Sequence, residues 1–179
     1  MNTGGMGSVS PVPFADQAFL DKVESRIIKP TVDGLKNDNI PYKGFIFIGL
    51  MNVDGEPFVI EYNVRMGDPE TESVLVRIES DLVDLLEGVA KEDLASRSYT
   101  VTNKTAATVM IVSGGYPGNY ETGKVITNIE NVKESIVFHA GTKLDGQNVL
   151  TAGGRVLAVT ALEDDLFSAL QQATADAGR

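Results

Sequence analysis

Val59–Glu72 reads VIEYNVRMGDPETE, and its two halves ask for different backbones. The first half is rich in β-branched and aromatic residues and predicts a strand. Side chains in a strand alternate between faces, so Glu61, Asn63 and Arg65 share one face while Ile60, Tyr62 and Val64 share the other. The second face is apolar enough to sit on a core. On the first, a carboxylate and an amide oxygen two residues apart can both reach one hard cation. Mg²⁺ takes oxygen ligands, often one or two protein groups with phosphate oxygens and water completing the shell. Arg65, next along, can hold an anionic oxygen by charge-assisted hydrogen bonds. The loop that follows adds Asp68 and Glu70 where Gly67 and Pro69 make the backbone turn. On residue types alone, an edge strand with a polar outer face fits equally well.

On the N-terminal side of this stretch, Lys43–Met51 (KGFIFIGLM) predicts a buried strand and Asp54-Gly55 a hairpin turn. Pro57–Asn63 is then the returning arm, a rigid place to hold ligands. Before the hairpin, Phe14–Leu35 predicts a helix capped by Asp16, with Pro30 ending or kinking it near Ile28. After it, Glu72–Val89 predicts a single helix whose apolar stripe runs from Val74 to Val89, with Arg77 and Asp81 paired on the polar side.

Ser, Thr and Asn spread through 95–105 mark a domain boundary, which divides the chain into 1–96 and 97–179. The second part predicts short strands at 106–112, 125–129, 136–142 and 155–162, punctuated by Gly-rich turns. A closing helix over 163–175 turns Leu166, Phe167, Leu170 and Ala173 inward. The fold class expected is α+β in two parts.

The opening, MNTGGMGSVSPVP, has no apolar periodicity and by itself describes a flexible tail, although Gly4-Gly5-x-Gly7 can present backbone N–H groups to an anion. A net charge of −10 argues against nonspecific nucleic-acid binding, which runs on Lys and Arg. The absence of cysteine removes disulfides and thiolate metal sites. No apolar run is long enough to span a bilayer, and the start has no secretory-signal pattern, so a soluble cytoplasmic protein is expected. The single histidine, His139, fits a structural role better than a catalytic one, and no Ser, His or Cys constellation supports nucleophilic catalysis.

Glu61-x-Asn63-x-Arg65 resembles the metal-binding strand of the ATP-grasp enzymes. Arg65-Met66-Gly67-Asp68-Pro69-Glu70 is similar to the R-F-G-D-P-E segment of one branch, the phosphoribosylamine–glycine ligases. Asn2–Gly7, Arg77 with Ser80-Asp81-Leu82, Gly114–Gly118, Phe138–Thr142 and Gly153–Val156 match in the same order. The resemblance implies the later half of an ATP-grasp domain followed by a small β-rich C-terminal domain. It implies an enzyme of de novo purine synthesis that joins glycine to 5-phosphoribosylamine through glycyl phosphate at the expense of ATP. Its metal is Mg²⁺ or Mn²⁺, with ATP as co-substrate. Carried over by position, Glu61 and Asn63 are the metal ligands and Arg65 the catalytic cation. Thr3, Gly4, Gly5, Met6 and Gly7 line the substrate side, and Asp68 and Glu70 order the loop.

Departures from the family pattern fall beside the ligands: Met66 for Phe, Val64 for Cys and Glu72 for Gln. The resemblance covers only the family's later part. The expectation is therefore a fragment, inactive alone, whose partners are the missing N-terminal and earlier ATP-grasp segments, with no nucleic acid and no membrane. Another ATP-grasp ligase or carboxylase would share E-x-N-x-R but not the other motifs. A non-catalytic binding module with an ATP-grasp-like fold is the alternative from a different class.

Overall fold

A computed structural model describes residues 5–179. In chain order its main elements are β1 (Gly7–Ser10), α1 (Gln17–Val23), α2 (Lys29–Asn37), β2 (Phe47–Val53), β3 (Glu56–Asn63), α3 (Glu70–Val74), α4 (Leu82–Lys91), β4 (Thr105–Val112), β5 (Val125–Ile126), β6 (Ile136–His139), β7 (Thr142–Asp145), β8 (Asn148–Thr151), β9 (Arg155–Glu163) and α5 (Leu166–Ala177). They form two compact units. Among the described residues, one comprises 5–10, 68–80 and 100–179, and the other 11–67 and 81–99.

The first unit is built on an antiparallel sheet of order β1-β4-β9-β6. β9 is buried along most of its length and β4 along half of it, as near-continuous apolar runs in a covered sheet should be. Their core is small and aliphatic: Ala106, Ala107, Met110, Val156, Leu157, Ala158, Val159 and Ala161. Thr108 and Thr160 face each other in register within it, hydroxyl to hydroxyl at 2.8 Å, so each satisfies the other away from water. α5 packs on β4 and β9. Its inward residues are Ala169, Ala173 and Asp176, while Phe167 is 74% exposed and Leu170 also faces solvent. That corrects the expected inward stripe at Phe167 and Leu170, while Ala173 lies inward as expected. Close approach to the sheet selects small side chains, and the bulky ones turn outward. Asp176 is buried with its carboxyl held below the usual range, chiefly by a hydrogen bond donated by Gln172 at 2.9 Å.

Gly7–Ser10 is not a tail. It pairs with Val109–Ala106 as the edge strand β1. A Cβ at Gly7 would lie 2.8 Å from the Thr108 carbonyl oxygen, so the close approach of β1 to β4 requires glycine there.

In the second unit, Asp16 caps α1, accepting a hydrogen bond from the Phe19 N–H at 2.8 Å. The helix does not end at Ile28. A π-helical turn over Glu24–Ile28 carries it into α2, with Pro30 in the first turn of that segment, where a missing N–H is tolerated. Phe19, Val23 and Ile27 form its buried face. Asp54-Gly55 makes the hairpin turn with both residues at positive φ, joining β2 to β3.

The expected single helix after Glu72 is instead two. α3 runs into a 3₁₀ turn at Leu75–Arg77, and α4 starts afresh with Asp81 as its cap, accepting from the Val83 and Asp84 N–H groups at 2.8 and 3.2 Å. Arg77 and Asp81 therefore do not pair. The Arg77 guanidinium donates to the Lys104 and Thr102 carbonyls and to the Ser10 hydroxyl.

Candidate active site

β3 presents Glu61 and Asn63 on one face, as alternation requires. The Asn63 side-chain nitrogen lies 2.9 Å from Glu61 Oε1. A β-bulge precedes them: Gly49 pairs with Glu61 and Leu50 with Val59, so Ile60 is the extra residue. Gly49 lies under Glu61, and a Cβ there would stand 3.1 Å from Glu61 Cγ. Arg65 is exposed, and its guanidinium donates to the Met66 carbonyl at 3.1 Å.

The opposite, apolar side of this strand is only partly covered: α1 packs on β3, and the Tyr62 and Thr31 hydroxyls lie 3.1 Å apart. Ile60, Tyr62 and Val64 are 63%, 51% and 73% exposed, which corrects the expectation that they sit on a core. β2 and β3 form a sheet of two strands only, and each leaves an open edge among the described residues.

A hard cation fits the donor set. Rotating the Asn63 amide exchanges its nitrogen and oxygen with little displacement, which leaves two oxygens 2.9 Å apart. Adjacent ligands of an octahedral Mg²⁺ at 2.0–2.1 Å are separated by about 2.9 Å. Among the described residues no group of three His, Cys, Asp or Glu side chains can hold a metal by itself. The pair therefore offers one edge of a shell, with phosphate and water oxygens for the rest.

Asp68, Glu70, Gly5, Met6 and Gly7 belong to the other unit. Asp68 receives both arms of the Arg155 guanidinium: Nη1 to Oδ1 at 3.1 Å and Nη2 to Oδ2 at 3.3 Å. Nη1 also reaches the Asp68 carbonyl at 2.9 Å and the Gly5 carbonyl at 3.3 Å. Ser8 donates to the Pro69 carbonyl at 2.8 Å and lies 2.9 Å from the Ser73 hydroxyl, which itself donates to the Glu70 carbonyl at 3.1 Å. Pro69 and Ser73 are fully buried. The loop is thus tied to β1, β9 and its own helix α3. The carbonyl of Met6 accepts from Met110 N–H at 3.2 Å. Thr3 and Gly4 lie outside the described residues.

Glu72 is the anomaly. One of its carboxylate oxygens is buried with no hydrogen-bond partner. Burial raises its pKa above the ordinary carboxylate range; the negative charges of Asp68 and Glu70 add to the rise, and Arg155 opposes it. Arg155, Ser8 and Ser73 are the residues that sequence reasoning missed as partners of this loop. Gly153-Gly154-Arg155 was visible as a motif, but nothing in its spacing points to residue 68.

Two family models match in order: "Phosphoribosylglycinamide synthetase, ATP-grasp (A) domain" over residues 1–71, and "Phosphoribosylglycinamide synthetase, C domain" over 106–179. The chain belongs to the phosphoribosylglycinamide synthetase family. Its similarity to curated relatives is spread over nearly its whole length. It is 44% identical over 174 residues to a phosphoribosylamine–glycine ligase of Chlorobaculum tepidum, covering 96% of this chain and 41% of that protein. It is 43% identical over 178 residues to the ligase of Escherichia coli O157:H7, covering 97% and 42%. The crystal structure of the Thermotoga maritima phosphoribosylamine–glycine ligase superposes with a TM-score of 0.81 at 33% identity, covering 99% of this chain and 44% of that one. The chain therefore spans about two fifths of the length of these relatives. The α+β fold class and the order of its parts agree with the expectation from sequence.

Proposed function

We propose that this chain is the metal-strand and C-terminal portion of a phosphoribosylamine–glycine ligase, a cytoplasmic enzyme of purine synthesis. Its partners are ATP, glycine and 5-phosphoribosylamine, together with the polypeptide that its relatives have and this chain does not span. The observation that carries the reading is the 2.9 Å separation of the Glu61 and Asn63 side chains on one strand face. We further propose that the functional division of the chain falls near residues 96 and 97.

In this reading Glu61 and Asn63 hold Mg²⁺ or Mn²⁺, which when bound neutralises phosphate charge. Arg65 donates to the oxygens of the phosphoryl group in transfer. A glycine carboxylate oxygen forms a bond to the γ-phosphorus and ADP leaves. The amine of phosphoribosylamine then attacks the acyl carbon of glycyl phosphate, phosphate leaves and the amide forms. Gly5, Met6 and Gly7, with Thr3 and Gly4 before them, contribute the backbone of the substrate side. Asp68 and Glu70 order the loop after Arg65, and neither is assigned as a base. The exposed apolar face of β3 supports a need for further polypeptide, since a sheet of two strands is marginal in water.

The test is a hybrid in which this chain replaces the matching segment of the Escherichia coli ligase. ATP- and glycine-dependent formation of glycinamide ribonucleotide by the hybrid, and none by the chain alone, supports the reading. An inactive but folded hybrid removes it.

A further inference from the structure

The structure assigns Arg155 a role as a positioning residue that clamps the Gly5 loop to the Asp68 loop. The idea that the clamped loop serves substrate rests on the ligase reading above; the clamp itself does not. Three stretches far apart in sequence meet at one guanidinium, all within one compact unit. Arg155, at the start of β9, places Nη1 within hydrogen-bond distance of three oxygens: the Gly5 carbonyl, the Asp68 carbonyl and Asp68 Oδ1. Nη2 completes the bidentate pair on Asp68 Oδ2. A rigid planar fork can satisfy this set of acceptors, and an ammonium cannot match it.

A second observation shows that the site is built around the guanidinium. Gly5 has φ +77°, and a Cβ added there would overlap Arg155 Nη1, with Asp68 O only 3.1 Å away. The glycine is thus needed both for its backbone conformation and to make room for the cation. The Arg155 side chain is 28% exposed and that of Asp68 53%, so the charge pair is partly screened by solvent. Two of its four contacts are to backbone carbonyls, which fix where the main chain runs rather than merely balancing charge. The negative groups around it are Asp68, which it pairs, and Glu72, whose charge it partly offsets. Arg155 touches no reacting atom in this account. It acts through the placement of Gly5 and its neighbours.

The test uses the full chain and then the hybrid. In the chain, hydrogen exchange is measured at the amides of residues 5–8, 68, 70 and 71. Arg155→Met should accelerate them at least ~10-fold while β4 and β9 stay protected, with Arg155→Lys intermediate. Asp68→Asn weakens the same clamp from its other end and should accelerate the same amides, so the test stands even if Arg155→Met fails to fold. Unchanged exchange in the folded variants overturns the clamp. In an active hybrid, Arg155→Lys should raise the KM of glycine or of phosphoribosylamine at least ~10-fold while kcat changes less than ~3-fold. Both KM values unchanged would overturn the positioning role. If the hybrid is inactive with Arg155 in place, the ligase reading fails, while the exchange result still decides the clamp.

Discussion

The Glu61 carboxylate and the Asn63 amide stand 2.9 Å apart on one face of β3, with Gly49 beneath Glu61. No group of three His, Cys, Asp or Glu side chains that could hold a metal lies among the described residues, so the metal site proposed here would depend on both. In the isolated chain, millimolar Mn²⁺ should broaden the amide resonances of residues 61–63, and Glu61→Ala should abolish that broadening. In the hybrid ligase the same substitution should lower kcat by at least ~100-fold. Near-normal turnover would mean that Glu61 is ordinary surface.

Gly49→Ala tests the same face indirectly. Its Cβ would press on Glu61 Cγ at 3.1 Å, and the long Glu side chain must give way. Mn²⁺ affinity should fall with little change in fold, as circular dichroism would report.

The Thr108–Thr160 hydroxyl pair makes a stability prediction. Each is buried and each is the partner of the other at 2.8 Å. Thr108→Val alone leaves Thr160 without its partner in an apolar core and should cost ~1–3 kcal/mol in urea unfolding. The double variant to Val should cost less than the sum of the two single changes.

Glu72 predicts a pH dependence. Its folded-state pKa is raised by burial, so the folded chain holds the proton more tightly than the unfolded chain. Stability should therefore fall as pH rises from the ordinary carboxylate pKa through the raised one, and level off above it. Glu72→Gln removes the charge without changing shape. It should raise the melting temperature by ~1–3 °C at pH 7 and leave it unchanged at a pH below the ordinary carboxylate range. An equal gain at both pH values would mean that the buried charge is not the cause.

The exposed apolar side chains of β3 should make the chain self-associate. Phe58 and Ile60 are both well exposed beside an open strand edge. Phe58→Ser with Ile60→Thr should shift sedimentation toward monomer, while unfolding free energy changes by less than ~0.5 kcal/mol, as at ordinary surface sites.

What was legible in the sequence follows from local chemistry. Asp16 as a cap, Asp54-Gly55 as a turn and the alternation that pairs Glu61 with Asn63 each depend on neighbours in the chain. The break between α3 and α4 was hidden because apolar residues keep helical spacing across it; the signal that mattered was Asp81 as a cap. The inward face of α5 was hidden because hydrophobicity favours Phe167, whereas close packing on the sheet favours Ala169 and Ala173. β1 was hidden because glycine looks like looseness, although at Gly7 it permits close contact with Thr108. Arg155 was hidden because its partners lie 87 and 150 positions away.

Whether this chain completes a ligase is decided by glycinamide ribonucleotide formation in the hybrid, assayed with ATP, Mg²⁺, glycine and freshly generated phosphoribosylamine. Turnover should require all three substrates and Glu61, and this chain alone should give none. A folded hybrid with no turnover, or one indifferent to Glu61→Ala, would contradict the ligase reading.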